Sequence, residues 1–266
     1  HADYSCHKEA LMFPVLIKIG PLTIHTYGFL IAAGFLVALA LASREAKRED
    51  VSNESIIDVG FYALFSGIIG SRLFFILTNW QHYMEHPIDM VKIWEGGLVF
   101  YGGMLFAIPT VIWYARKKGL QLWQTADIWA PSIAIGHAIG RLGCFCAGCC
   151  YGRPAEGLPW AVTFNNPDSL AIIGTPLHPT QLYESAAEFL NFLFLIIFRR
   201  YRTFKGQLFW IYILNYSVIR SAVEMFRGDQ VRGFLFPGFS YSQAISVAMF
   251  ITALSFLIIL QRKKNQ

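Results

Sequence analysis

Seven apolar runs decide what this chain can become. They lie at about residues 24–42, 56–77, 98–115, 128–143, 184–198, 208–225 and 241–260. A helix needs about 20 residues to cross a hydrocarbon layer about 30 Å thick. Inside lipid, every backbone N–H and C=O of such a run must be satisfied within the segment itself, which a helix does. The pattern predicts an all-α polytopic membrane protein with seven transmembrane helices; the fourth and fifth runs are the shortest and most polar. Only 15% of the residues are charged, against about a quarter in a soluble domain. The net charge of +5 sits in the connections between runs, so no nucleic-acid partner is implied. Residues 1–11, HADYSCHKEAL, are polar and lack the basic-then-apolar order of a signal peptide. They read as a non-native or upstream extension ahead of Met12, and residues 12–266 read as one integral membrane domain.

Charge sets the orientation. Arg44, Lys47 and Arg48 follow run one, and Arg116, Lys117 and Lys118 follow run three. Arg199, Arg200, Arg202 and Lys205 follow run five; Arg262, Lys263 and Lys264 follow run seven. The alternate connections are poorer in Lys and Arg, so the positive-inside rule places the N-terminus outside and the C-terminus in the cytoplasm. The outer-face segment 145–182 carries Pro159, Trp160, Phe164, Pro167 and Pro176. It is longer than an unstructured loop usually runs, and it predicts an ordered cap or arm between helices four and five.

With that orientation the polar residues inside the runs collect at one outer level: Tyr27, Arg72, Tyr101, Arg141, His178, Gln181, Glu184, Arg220, Glu224 and Arg227. A charged residue in a span is costly and needs a partner or ligand. Arg141 lies in GHAIGRLGCFCAGCCYGRP, residues 136–154, whose glycines admit a close neighbour, either a helix or a bound molecule. Arg220, Glu224 and Arg227, spaced four and three apart, share a helical face with Tyr216 one turn earlier. Such a ladder is either an interfacial ion-pair stack or an anion site. Tyr27 and Tyr101 can be plain interfacial aromatics, and His137 reads as a packed core histidine. Cys144, Cys146, Cys149 and Cys150 can be small packing residues, a disulfide such as Cys144–Cys149, or a metal or catalytic group. Their spacing is too tight for an ordinary zinc motif, so no metal is expected.

These residues carry a resemblance. GRLGCFCAGCCYG resembles the G-R-x-G-[N/C]-F-x-x-G-x-x-x-G signature of the bacterial prolipoprotein diacylglyceryl transferases. MFPVLIKIGPLTIHTYG, GSRLFFIL, GGLVFYGG, HPTQLYE and RSAVEMFR are similar to other stretches of that family, from Met12 nearly to the end. The resemblance implies seven helices in the bacterial inner membrane, with the site toward the periplasm. It implies transfer of the sn-1,2-diacylglyceryl group of phosphatidylglycerol to the lipobox cysteine of a prolipoprotein, giving a thioether and glycerol 1-phosphate, without a cofactor. Arg141 and Arg220 match the family's essential arginines; Tyr27, Gly152, Glu224 and Arg227 match other important positions. The expected catalytic set is Arg141, Arg220, Tyr101, Tyr27 and Glu224. The expected phosphatidylglycerol contacts are Arg141, Arg220, Arg227, Gly143, Cys144, Gly152, Arg72, Tyr216, Glu184 and His178. The partners are phosphatidylglycerol, the lipobox peptide and membrane lipids, and a monomer is expected. There are departures: Tyr101 stands where many members have histidine, Cys144 where many have asparagine, and Cys149 where some have glutamate. Two other classes compete, an anion transporter or channel and a cysteine-centred redox or metal protein. Transporters commonly carry inverted repeats, which this chain does not display.

Overall fold

The structure, a computed structural model, describes residues 13–264 except 21, 93–95, 229–232 and 237. The extension proposed at residues 1–11 lies outside the described residues. A helix covers each of the seven apolar runs: α1 (Thr26–Arg48), α2 (Asn53–Thr78), α4 (Phe100–Lys117), α5 (Leu122–Ala147), α6 (Thr180–Phe198), α7 (Gln207–Glu224) and α8 (Tyr241–Lys264). A short helix, α3 (Trp80–Glu85), follows α2. Among the described residues, α1, α2, α6 with its following turn, and α8 are long and apolar enough to cross a membrane. The protein is thus a helical membrane protein. Ser52 caps α2 by accepting the Ser55 N–H at 3.3 Å, which satisfies one of the orphan donors of the first turn.

Polarity is inverted relative to a soluble fold. On α2, Phe61, Phe65, Ile69, Leu73 and Leu77 form an i, i+4 ridge that is exposed. On α6 the buried face is Thr180, Gln181, Glu184, Ser185, Glu188 and Asn191, while Phe189, Leu190, Leu193, Phe194 and Ile197 point outward. Lipid tails are as apolar as leucine, so outward leucines cost nothing there and buried polar groups hold helices together.

The chain forms two compact units. One joins the chain up to Leu41 with the chain from Trp129 onward; the other is Ala42–Ile128. In the second unit α2 crosses α4 through small residues. A methyl group on Gly70 would stand 2.5 Å from the Gly102 carbonyl, and one on Gly103 would meet Ser71 Oγ at 2.5 Å. In the first unit α1 packs on α5. A methyl on Gly34 would stand 3.0 Å from the Gly136 carbonyl, one on Gly140 3.2 Å from Ile31, and one on Gly143 3.3 Å from the Tyr27 carbonyl. The glycines at 136, 140 and 143 therefore admit a neighbouring helix. In the same unit α7 and α8 pack together, with Trp210 stacked on Phe256 at 4.4 Å between ring centres.

The boundaries shift in three places that matter. α5 continues to Ala147, because nothing stops it before Gly148, whose φ of +75° suits glycine. α6 opens at Thr180, directly after Pro179, which puts Glu184 one turn inside the helix. α7 ends at Glu224, so Arg227 lies beyond the helix instead of on its face. The segment between α5 and α6 is ordered, as expected. It pairs β3 (Val162–Thr163) with β4 (Pro176–Leu177) over a small core of Phe164, Ala171 and Leu177. Two hairpins were not anticipated: β1 (Val15–Ile19) with β2 (Leu22–His25), and β5 (Phe234–Phe236) with β6 (Phe239–Ser240).

Candidate functional site

Three helices of the first unit bring charges to one point, and a fourth adds a hydroxyl. Arg141 on α5 donates from Nη2 to Glu184 Oε1 on α6 at 2.8 Å. One turn back on α5, His137 accepts from Arg141 Nε at 3.2 Å through Nε2. The other Glu184 oxygen lies 4.0 Å from Arg220 Nη1 on α7. Arg220 Nη2 pairs with Glu224 Oε2 at 2.8 Å and donates to Ser242 Oγ on α8 at 3.1 Å. Arg227 Nη1 stands 3.9 Å from Glu224 Oε2. Glu184 and Glu224 are 2% and 3% exposed and Arg220 8%, so water screens these charges little.

In this ladder Arg141, Arg220 and Arg227 meet Glu184 and Glu224. Arg220 Nη1 is buried and makes no hydrogen bond among the described residues. A buried, unsatisfied cationic donor is costly unless an acceptor fills it. Arg220 Nη1 is therefore the donor in this cluster that an added acceptor would meet.

The surrounding residues hold this geometry. The Tyr216 ring centre is 5.5 Å from that of His137. Tyr27, 43% exposed, starts α1 against Gly143. Gly152 sits where three backbone segments cross: it bridges Arg227, and its N–H bonds the His178 carbonyl at 3.0 Å. A methyl there would lie 2.6 Å from the His178 carbonyl and 2.9 Å from that of Phe226. The His178 ring shares a hydrogen bond with the Tyr183 hydroxyl at 3.2 Å and packs on Phe226. Cys144 is buried near the end of α5. Between α5 and α6 an apolar groove of about 480 Å³ is lined by residues including Ile139, Leu142, Leu182 and Phe189.

Arg72 and Tyr101 belong to the second unit. Arg72 is turned to the backbone. It donates to the carbonyls of Met90 (3.0 Å), Gly96 (2.7 Å) and Asp89, and its guanidinium packs over Phe75 and Tyr83. An arginine engaged this way ties Asp89, Met90 and Gly96 to α2 and has little left for a phosphate. Tyr101 is 54% exposed at the start of α4; Gly102 and Gly103 beside it serve the contact with α2.

Sequence reasoning missed Ser242 as the Arg220 acceptor. It also missed Thr180, which donates to the Cys150 carbonyl at 2.7 Å, and it placed Gln181 at the outer level without its partner, the Cys149 carbonyl at 2.7 Å. Deeper on α6, Glu188 is fully buried, with Asn191 Nδ2 3.5 Å from its Oε2. The stripe T-Q-x-x-E-S-x-x-E-x-x-N was the available signal, since polar residues at helical spacing in an apolar run mark a buried face.

Residues 14–259 match a family model described as prolipoprotein diacylglyceryl transferase. A phosphatidylglycerol–prolipoprotein diacylglyceryl transferase of Bacillus velezensis is 35% identical over 256 residues, covering 95% of this chain and 93% of that protein. The protein of the same name from Geobacillus kaustophilus is 35% identical, over 94% of this chain and 93% of its own length. That from Listeria monocytogenes is 34% identical, over 95% and 91%. Likeness of this extent, across the helices that carry Arg141, Glu184, Arg220 and Glu224, places the chain in the prolipoprotein diacylglyceryl transferase family.

Proposed function

We propose that this chain transfers the sn-1,2-diacylglyceryl group of phosphatidylglycerol to the lipobox cysteine of a prolipoprotein. The acceptor sulfur loses its proton and bonds the glycerol carbon. The bond from that carbon to the phosphate oxygen breaks, and glycerol 1-phosphate leaves. The observation that carries this reading is the convergence of Arg141 and Arg220 on one buried carboxylate, with Arg220 Nη1 left without a hydrogen bond. Guanidinium forks hydrogen-bond phosphate oxygens in pairs and stay charged at any working pH. They stabilise the leaving phosphate most strongly where water is scarce.

In this proposal Glu184 and Glu224 orient the two arginines, and Arg227 supports Glu224. Tyr216 and His137 wall the cleft, and Gly143, Cys144, Gly152 and His178 shape its outer edge. Tyr27 is the candidate base for the acceptor thiol. The groove between α5 and α6 suits an acyl chain. Arg72 and Tyr101 stay in the proposal as residues of the outer polar level, Tyr101 as a second candidate base.

The wider proposal is a single integral domain, residues 12–266, monomeric, with seven spans in the bacterial inner membrane and the site on the periplasmic side. The basic residues at the C-terminal ends of α1, α4 and α8 and just after α6 support this orientation. The test is transfer from labelled phosphatidylglycerol to a lipobox peptide by purified protein. Arg141→Ala and Arg220→Ala are each expected to lose about 10²–10³ in rate while remaining inserted. Normal transfer by either variant overturns the clamp.

A further inference from the structure

The transfer chemistry leaves the cysteine stretch unexplained, because the acceptor brings its own thiol. Cys144, Cys146, Cys149 and Cys150 are all unbridged. Three of them meet because of how α5 ends. The Gly148 N–H bonds the Phe145 carbonyl at 3.1 Å, and the Cys149 N–H bonds the Cys144 carbonyl at 3.2 Å. These two reversed bonds are a Schellman closure, which folds the residue after the glycine back over the last helical turn. Cys149 thereby returns to Cys144. Cys150, at φ +60°, turns the chain once more. The Sγ atoms of Cys144, Cys149 and Cys150 all lie within 4.8 Å of one another. The turn is braced from outside by Gln181, by Thr180, and by the Leu170 N–H on the Ala147 carbonyl at 3.0 Å.

We propose that Cys144, Cys149 and Cys150 form a binding site for one thiophilic cation of the Zn²⁺ or Cu⁺ class. Zinc–sulfur bonds of about 2.3 Å set bound sulfurs about 3.8 Å apart in a tetrahedral shell, so the trio closes on a metal with small side-chain rotations. Thiolates select these soft ions over magnesium or calcium. Three thiolates around a divalent ion leave one negative charge over. Spacing along the chain had argued against a metal; the Schellman turn removes that objection by bringing neighbours in sequence to different corners of one site. The fourth position of a tetrahedral ion stays open to water or an external ligand.

The site is tested without reference to transfer. Reduced, metal-free full-length protein in detergent is titrated with Cd²⁺, following the sulfur-to-cadmium charge-transfer band. It is then titrated with Zn²⁺ against a chromophoric chelator. The loaded wild-type protein is pulsed with a maleimide, and the modified cysteines are mapped by mass spectrometry. The expected result is an end point at one ion per chain, with Cys144, Cys149 and Cys150 protected and Cys146 still reacting. Cys149→Ser or Cys150→Ser should weaken binding by at least about 100-fold, more than loss of an outer-shell partner costs, and Cys146→Ser should not. The proposal is overturned if no charge-transfer band forms, if Cys146 is protected equally, or if binding survives in the Cys149→Ser, Cys150→Ser double variant. The maleimide map uses the wild type, so a variant that fails to fold does not rescue the idea.

Discussion

Glu184 shows how much depends on single residues here. Its two oxygens face arginines from two other helices, at 2.8 Å and 4.0 Å. Glu184→Gln keeps the shape and removes the charge that sets those arginines side by side. Breaking a buried ion pair by removing one partner typically costs about 3–5 kcal/mol. The variant should unfold at lower temperature in detergent and transfer at least tenfold more slowly; wild-type behaviour in both assays would remove Glu184 from the clamp. Arg220→Lys keeps the charge but loses the planar fork that reaches Glu224, Ser242 and the open Nη1 position together. It should insert normally and lose about 10²-fold in transfer. Full activity would mean that charge alone suffices. Arg141 and Arg220 stood out in the sequence because guanidinium groups in apolar runs demand a reason. That Glu184 lies between them did not, since the three residues are far apart along the chain. Arg72 looked equivalent on the same criterion and proved to be bound to backbone carbonyls, because a burial cost does not reveal which partner meets it.

At the scale of elements, glycines divide into those that touch something and those that do not. Gly152→Ala would push a methyl to 2.6 Å from the His178 carbonyl at the crossing of three segments. Overpacking of that kind costs about 1–3 kcal/mol, and both thermal stability and transfer should fall. Gly28→Ala meets nothing within 4 Å on α1 and should leave stability unchanged or raise it by up to about 1 kcal/mol. Equal effects of the two substitutions on the unfolding midpoint would discredit the crossing as the reason for Gly152. The helices were legible because an unbroken apolar run has few alternatives in lipid. Their ends were less so: the extension of α5 to Ala147 and the start of α6 at Thr180 depend on where Gly148 and Pro179 take effect. The β1–β2 hairpin was hidden in a run of apolar residues that reads equally as a lead-in to α1, although Gly20 at φ +57° marks its turn.

For the whole molecule, the testable statement is topology. A fluorescent protein fused after Lys264 should fluoresce, and alkaline phosphatase fused there should be inactive; phosphatase inserted at Gly157, in the segment between α5 and α6, should be active. The reverse pattern would overturn the proposed orientation. Length, apolarity and the placement of Lys and Arg determined by themselves that this chain is helical, lives in a membrane and carries buried arginines, because lipid penalises every alternative at the level of one segment. Tertiary structure alone decided which arginines share a carboxylate and which glycines are helix contacts. Those outcomes depend on side chains meeting across helices, and no periodicity within a single helix encodes them.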